Sequence, residues 1–131
     1  MRDYKLPVIG GKGYKGSKMD EKLCFQLWVY RGTAQKAAYA LQKEFNVFNK
    51  RTKKAYTSVA VMRAAKLYVL DNPDDARVVW EDKYGEMQDE LWYDYLHRIH
   101  HILIAMRGID AYEKWREDHP EVVEYEKSLE E

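Results

Sequence analysis

Thr33-Ala34-Gln35-Lys36-Ala37-Ala38-Tyr39-Ala40-Leu41 and Thr57-Ser58-Val59-Ala60-Val61-Met62-Arg63-Ala64-Ala65-Lys66 decide how this chain folds. Each stretch opens on a threonine, whose hydroxyl can accept a backbone N–H from the first turn of a helix. Apolar residues then recur every three or four positions: Ala37, Ala38, Leu41 and Phe45 after the first threonine, Val61, Ala65, Tyr68 and Val69 after the second. That spacing predicts two amphipathic helices with their faces turned inward. The facing residues are small, so the two helices can cross closely, the Val61 and Ala65 side against Ala37 and Ala38.

Working outward, the same periodicity continues in both directions. Asp20 or a neighbour starts a preceding helix with Leu23, Cys24, Leu27 and Trp28 on one face, ending near Gly32. The helix after Thr57 runs to about Asp71. Asn72-Pro73-Asp74-Asp75 then reads as a fresh start, with an Asn cap, Pro in the first turn and two acids near the positive end of the dipole. This fourth helix is expected to bury Ala76, Val79, Trp80 and Tyr84. A fifth is expected from about Met87 to Met106. Asp110 with Glu113 resembles a capping box for a sixth, which carries Tyr112 and Trp115. His119-Pro120 breaks it, and an acidic helix follows. No stretch alternates like a strand, so the expected fold class is all-α: a three-helix head, a helical hairpin or bundle region, and an acidic C-terminal helix. The expected divisions are a flexible basic Gly-rich arm at 1–18, the head at 19–71 and the acidic helical region at 72–131.

Net charge is zero, and the zero conceals a dipole. Residues 1–66 hold 15 Lys+Arg against four acids, and residues 67–131 hold 7 against 18. The basic half suits a polyanion and the acidic half a protein. The candidate contacts among the cations are Lys12, Lys15 and Lys18 on the arm, Lys36 on the second helix, Lys50, Arg51, Lys53 and Lys54 in the connection, and Arg63 and Lys66 on the third helix.

Other chemistries find little support. The one cysteine, Cys24, rules out an internal disulfide framework and sits in an apolar helical pattern. No apolar run approaches the ~20 residues of a membrane span, and no secretory h-region opens the chain, so a cytoplasmic protein without membrane contact is expected. Gly11-Lys12-Gly13-Tyr14-Lys15-Gly16 matches G-x-G-x-x-G, but no βαβ unit follows, and Ser17-Lys18 is in the wrong order for a Walker loop. His97, His100 and His101 cluster, with Glu90, Asp94, His97 and His101 on one helical stripe. With no third ligand or second Glu-x-x-His helix in evidence, they read as a partly solvated polar face, not as a metal site. No catalytic constellation stands out, and neither an enzyme nor a cofactor is expected. On the opposite side, Trp92, Tyr95, Ile99, Ile102 and Met106 fall at steps of 3, 4, 3 and 4, widened by Leu91, Leu96 and Leu103. This stripe is either core or a self-association or partner surface.

The paired helices at 33–41 and 57–66 resemble a helix-turn-helix. Packing through Val61 and Ala65 would turn Ser58, Val59, Arg63 and Lys66 outward, where a major groove accepts a helix. Arg63 could read guanine edges and Lys66 could hold a phosphate. Thr57 and Ser58 open a helix with no acid in its first turn, which suits an anion. The connection is about ten residues, against three or four in the ordinary motif. A basic helix-turn-helix head, a helical middle and an acidic tail together are similar to the small terminase subunits of tailed phages. That resemblance implies a head that binds viral DNA, middle helices that assemble a ring, and a C-terminal segment that engages a large ATPase–nuclease subunit in an infected cell. Three functions follow as expectations: non-catalytic binding of nucleic acid, DNA favoured over RNA, as a homo-oligomer or subunit; backbone binding without sequence readout in a nucleoprotein assembly; and protein association through the oppositely charged halves.

Overall fold

The computed structural model describes residues 20–49 and 51–130. The arm at 1–18, with Lys12, Lys15 and Lys18, lies outside the described residues, as does Lys50. The described residues form eight helices and no strand, so the protein is all-α. The chain divides between Tyr84 and Gly85 into two compact units.

The first unit contains α1 (Glu21–Arg31), α2 (Ala34–Lys43), α3 (Ser58–Asp71) and α4 (Pro73–Tyr84). Asp20 caps α1 by accepting the Leu23 N–H at 2.9 Å. Gly32 ends it at φ 92°, a backbone region costly for any residue with a Cβ, and returns its N–H to the Trp28 carbonyl. Leu23, Cys24, Phe25, Gln26, Leu27 and Val29 are all buried, so α1 is enclosed on most of its girth. It fills that role by packing against α2, α3 and α4 together. Phe25 meets Tyr68 of α3 at 5.5 Å between ring centroids, and Trp28 meets Trp80 of α4 edge-on at 5.7 Å. Full burial of a side chain such as Phe25 contributes ~1.5–3 kcal/mol.

Several boundaries differ from those expected. The division falls one helix later than residue 71, because α4 packs on α1 and α3. The Asn72 side chain does not turn forward to cap α4. Its amide donates back to the Tyr68 carbonyl and closes α3. Only Ala76 of α4 is buried, while Val79 and Trp80 are half-buried. Tyr84 is 54% exposed, although its hydroxyl donates to the Val29 carbonyl at 3.1 Å. On α2, Ala37, Ala40 and Leu41 are buried and Ala38 is half-buried; Phe45, expected on the same helix, lies past its end at Lys43 and is half-buried.

The second unit contains α5 (Asp89–Ile99), α6 (Ile102–Arg107), α7 (Ile109–Asp118) and α8 (Pro120–Leu129). Helix α5 packs against α8, α6 against α7, and α7 against α8. The single helix expected from Met87 to Met106 is therefore two, broken at His100-His101. There the hydrogen bonds tighten to a three-residue step, Leu103 N–H to His100 O and Ile104 N–H to His101 O. Gly108 sits between α6 and α7 at φ 97° and occupies the capping position expected of Asp110. The apolar stripe is correspondingly divided. Trp92 and Ile99 are buried, as are Leu96 and Leu103. Tyr95 and Ile102 are half-buried, and Met106 is 44% exposed.

Candidate nucleic-acid interface

From Phe45 to Leu70 the chain has six cations and no acid. This stretch supplies the connection between α2 and α3 and nearly all of α3. The connection is built, not slack. Its root is anchored by Val47, which is 1% exposed and donates its N–H to the Leu41 carbonyl at 3.1 Å. Asn46 makes the bend that allows this, at φ 55°. Beyond Val47, one side chain organises the turn. Asn49 Oδ1 accepts the N–H groups of Arg51 (2.9 Å) and Thr52 (3.1 Å). The Asn49 main chain accepts from Lys53 N–H at 2.7 Å and donates to the Lys54 carbonyl at 2.9 Å. Thr52 Oγ1 accepts from Lys54 N–H.

These bonds hold the turn while Arg51, Lys53 and Lys54 remain exposed. Thr57 follows, exposed, with its hydroxyl accepting the Ala60 N–H at 3.1 Å to cap α3. Along α3, Val61, Ala64, Ala65, Leu67, Tyr68, Val69 and Leu70 face the core. Arg63 is exposed, Ser58 and Lys66 are half-buried, and Val59 is 56% exposed. Val59, Arg63 and Lys66 follow helical spacing and share the outward side. Lys54 precedes Thr57 by three residues, which keeps the turn within ~11 Å of the start of α3. Lys36 lies on the exposed side of α2, beside Tyr39, which is 64% exposed. Both line an open hollow of 490 Å³ with Arg31, Gln35, Ala40 and Glu44. Arg31 pairs with Glu44 there at 2.8 Å, a half-exposed contact worth at most ~1 kcal/mol. Asn49 and Tyr39 were not among the residues expected from sequence. An Asn at the mouth of a Lys/Thr-rich connection is the signal for the first, since Asn side chains fold turns onto themselves.

The histidines of the second unit form a different kind of site. His100 is fully buried, not on a solvated face. Its ring lies between Tyr112 (4.9 Å, stacked) and Trp115 (5.4 Å). Burial holds its pKa below the usual imidazole value, so the ring is neutral. Nδ1–H donates to the His97 carbonyl at 2.6 Å, which leaves Nε2 to accept from Arg116 Nη1 at 3.2 Å. Arg116 donates to Glu126 Oε2 at 2.6 Å, and His97 Nδ1 donates to Glu126 Oε1 at 2.9 Å. Burial acts to raise the Glu126 pKa, but the bonds from His97 and Arg116 outweigh it and hold the carboxyl low. One ring nitrogen each of His97 and His100 and one carboxylate oxygen of Glu126 lie within 4.8 Å of one another, a spacing a metal could use. The Arg116 guanidinium already supplies positive charge at this point, so the cluster reads as a closed ion-pair network joining α5, α7 and α8. Asp94, on the expected acidic stripe, accepts from Tyr125 Oη (2.9 Å) and Arg98 Nε (2.7 Å). His101 is exposed.

No family model, curated protein or solved structure matches this chain. No described helix is long and apolar enough to cross a membrane.

Proposed function

We propose that this protein binds nucleic acid without catalysis, with duplex DNA as the preferred partner and the first unit as the binding end. The observation that carries the reading is the acid-free run from Phe45 to Leu70, whose exposed cations sit on an ordered turn and on the outer side of α3. A helix with Val59, Arg63 and Lys66 outward is of a kind that a major groove accepts. Arg63 is the residue for base edges; Arg51, Lys53, Lys54 and Lys66 are for phosphates. Lys36, Lys50 and the cations at Lys12, Lys15 and Lys18 add to the same attraction. DNA packaging or regulation in a tailed phage is the setting suggested by the likeness to small terminase subunits. The acidic second unit is then the end for a protein partner or a second copy.

The test is a salt series with labelled duplex DNA, the matching single strand and duplex RNA, each titrated with the full chain. Neutralising ~4–6 phosphates gives a slope of log K against log salt of roughly −4 to −5 on duplex DNA. Arg63→Ala relaxes sequence preference; equal weakening on every sequence would assign Arg63 to the backbone and favour binding without readout. Absence of binding to all three probes at ~50 mM salt overturns the proposal.

A further inference from the structure

The turn between Asn49 and Lys54 contains an anomaly. Lys53 adopts φ 61°, a left-handed backbone that glycine takes readily and a side chain with a Cβ resists. Hairpin loops of three to five residues commonly need one such position near their end, and glycine usually fills it. Here lysine does, and its side chain is exposed. What sustains the conformation is Asn49, which holds both ends of the turn through its side-chain oxygen and its main chain. Like charges at Arg51, Lys53 and Lys54 are thereby confined within a few residues, where repulsion would otherwise spread them.

We infer that the described part of this turn, Asn49 with residues 51–54, is a preformed clamp for a phosphodiester backbone, with Lys53 as a phosphate contact and Asn49 as its positioning residue. The inference rests on the nucleic-acid reading above and goes further by assigning a role to Asn49, an uncharged residue. An ordered turn presents its cations together, so each phosphate contact is made without first ordering the loop. The strained lysine is then a local sacrifice of stability to place a charge where glycine would place none.

Two variants of the full chain separate this from a merely structural turn. Lys53→Gly relieves the backbone and removes the charge. It is expected to raise Tm slightly while weakening duplex DNA binding by roughly eightfold at ~0.1 M salt, the worth of one phosphate contact at that ionic strength. Asn49→Ala leaves net charge unchanged. It is expected to lower affinity several-fold and to make the salt slope shallower by ~1, with faster amide exchange at Arg51, Thr52 and Lys53. Asn49→Ser, whose hydroxyl can accept one of the two N–H groups, should recover part of the affinity. Unchanged affinity and slope in Asn49→Ala overturn the positioning role, and unchanged affinity in Lys53→Gly overturns the contact. In both cases the parent chain still binds. A parent chain that binds no probe in the same series instead overturns the broader reading, so the two failures are distinguishable.

Discussion

The two units are stabilised in opposite ways. The first packs three helices around α1, which is enclosed on most of its girth, and among the described residues its core is apolar except for Gln26. Its cations are left on the outside. The second unit has a smaller apolar core, and at its edge the buried, neutral His100 meets the half-buried Arg116, which pairs with Glu126. Divided at Tyr84, the chain carries 17 Lys+Arg against nine acids before the boundary and 5 against 13 after it. The first unit pairs some of its cations at the surface, Arg31 with Glu44 and Arg77 with Glu81, and leaves Arg51, Lys53, Lys54 and Arg63 exposed. The second invests charge in its own structure. This contrast teaches where substitutions of charge should alter binding and where they should alter folding.

The hardest test of the contrast is Phe25→Ala. Loss of a fully buried ring from the centre of the first unit costs ~3–5 kcal/mol. The indole signals of Trp28 and Trp80 should lose dispersion in the NMR spectrum of the intact chain, while those of Trp92 and Trp115 persist. Simultaneous collapse of all four would show that the units do not fold separately. Next in size is Glu126→Gln, which leaves Arg116 and His97 without their shared carboxylate. A loss of ~1–3 kcal/mol is expected, confined to the Trp92 and Trp115 signals and with unchanged nucleic-acid affinity. Reduced affinity at equal folding would break the division of roles.

The smallest effect, read by the same four signals, is the response to pH. Burial, with help from Asp20 and Glu21, pushes the Cys24 thiol up to about 12 from 9.0. Its folded form therefore retains a proton that the unfolded form loses, and the first unit weakens by about 1.4 kcal/mol per pH unit above 9. Between pH 9 and 10 this loss belongs to the first unit, because the raised Tyr95 and Tyr125 phenols of the second begin from 10.0. In acid the order reverses. His100 is depressed from 6.5, so its contribution is complete above that pH and is lost as pH falls below it; Glu126, depressed from 4.5, adds its own loss lower down. Relative to neutral pH, the second unit should lose stability in acid and the first at pH 9–10, and loss confined to the same unit at both ends would refute this account.

Some local features were legible in the sequence, though the caps expected of Asn72 and Asp110 were not among them, and tertiary features were not. Asp20, Gly32, Thr33 and Thr57 begin or end their helices as expected because caps depend on a few adjacent atoms. The break at His100-His101 has no glycine or proline to announce it. The break coincides with the burial of the His100 ring, which bonds back to the His97 carbonyl and packs against α7. One signal did exist: His100 follows Leu96 by four and precedes Leu103 by three, on the buried side of the pattern. The Arg116–Glu126 bond joins two helices across a proline, and nothing in spacing specifies it. At the candidate interface, the exposed cations could be named from composition. The turn that orders them depends on hydrogen bonds of a single asparagine, which composition does not reveal.

The sole sulfhydryl of the chain, on Cys24, is wholly enclosed within α1's packing. A thiol reagent can therefore react only when the first unit opens, and the rate of modification becomes a clock for that opening. Added duplex DNA should slow the clock if it engages the closed unit, which turns one hidden sulfur atom into a reporter of occupancy at a surface it does not touch.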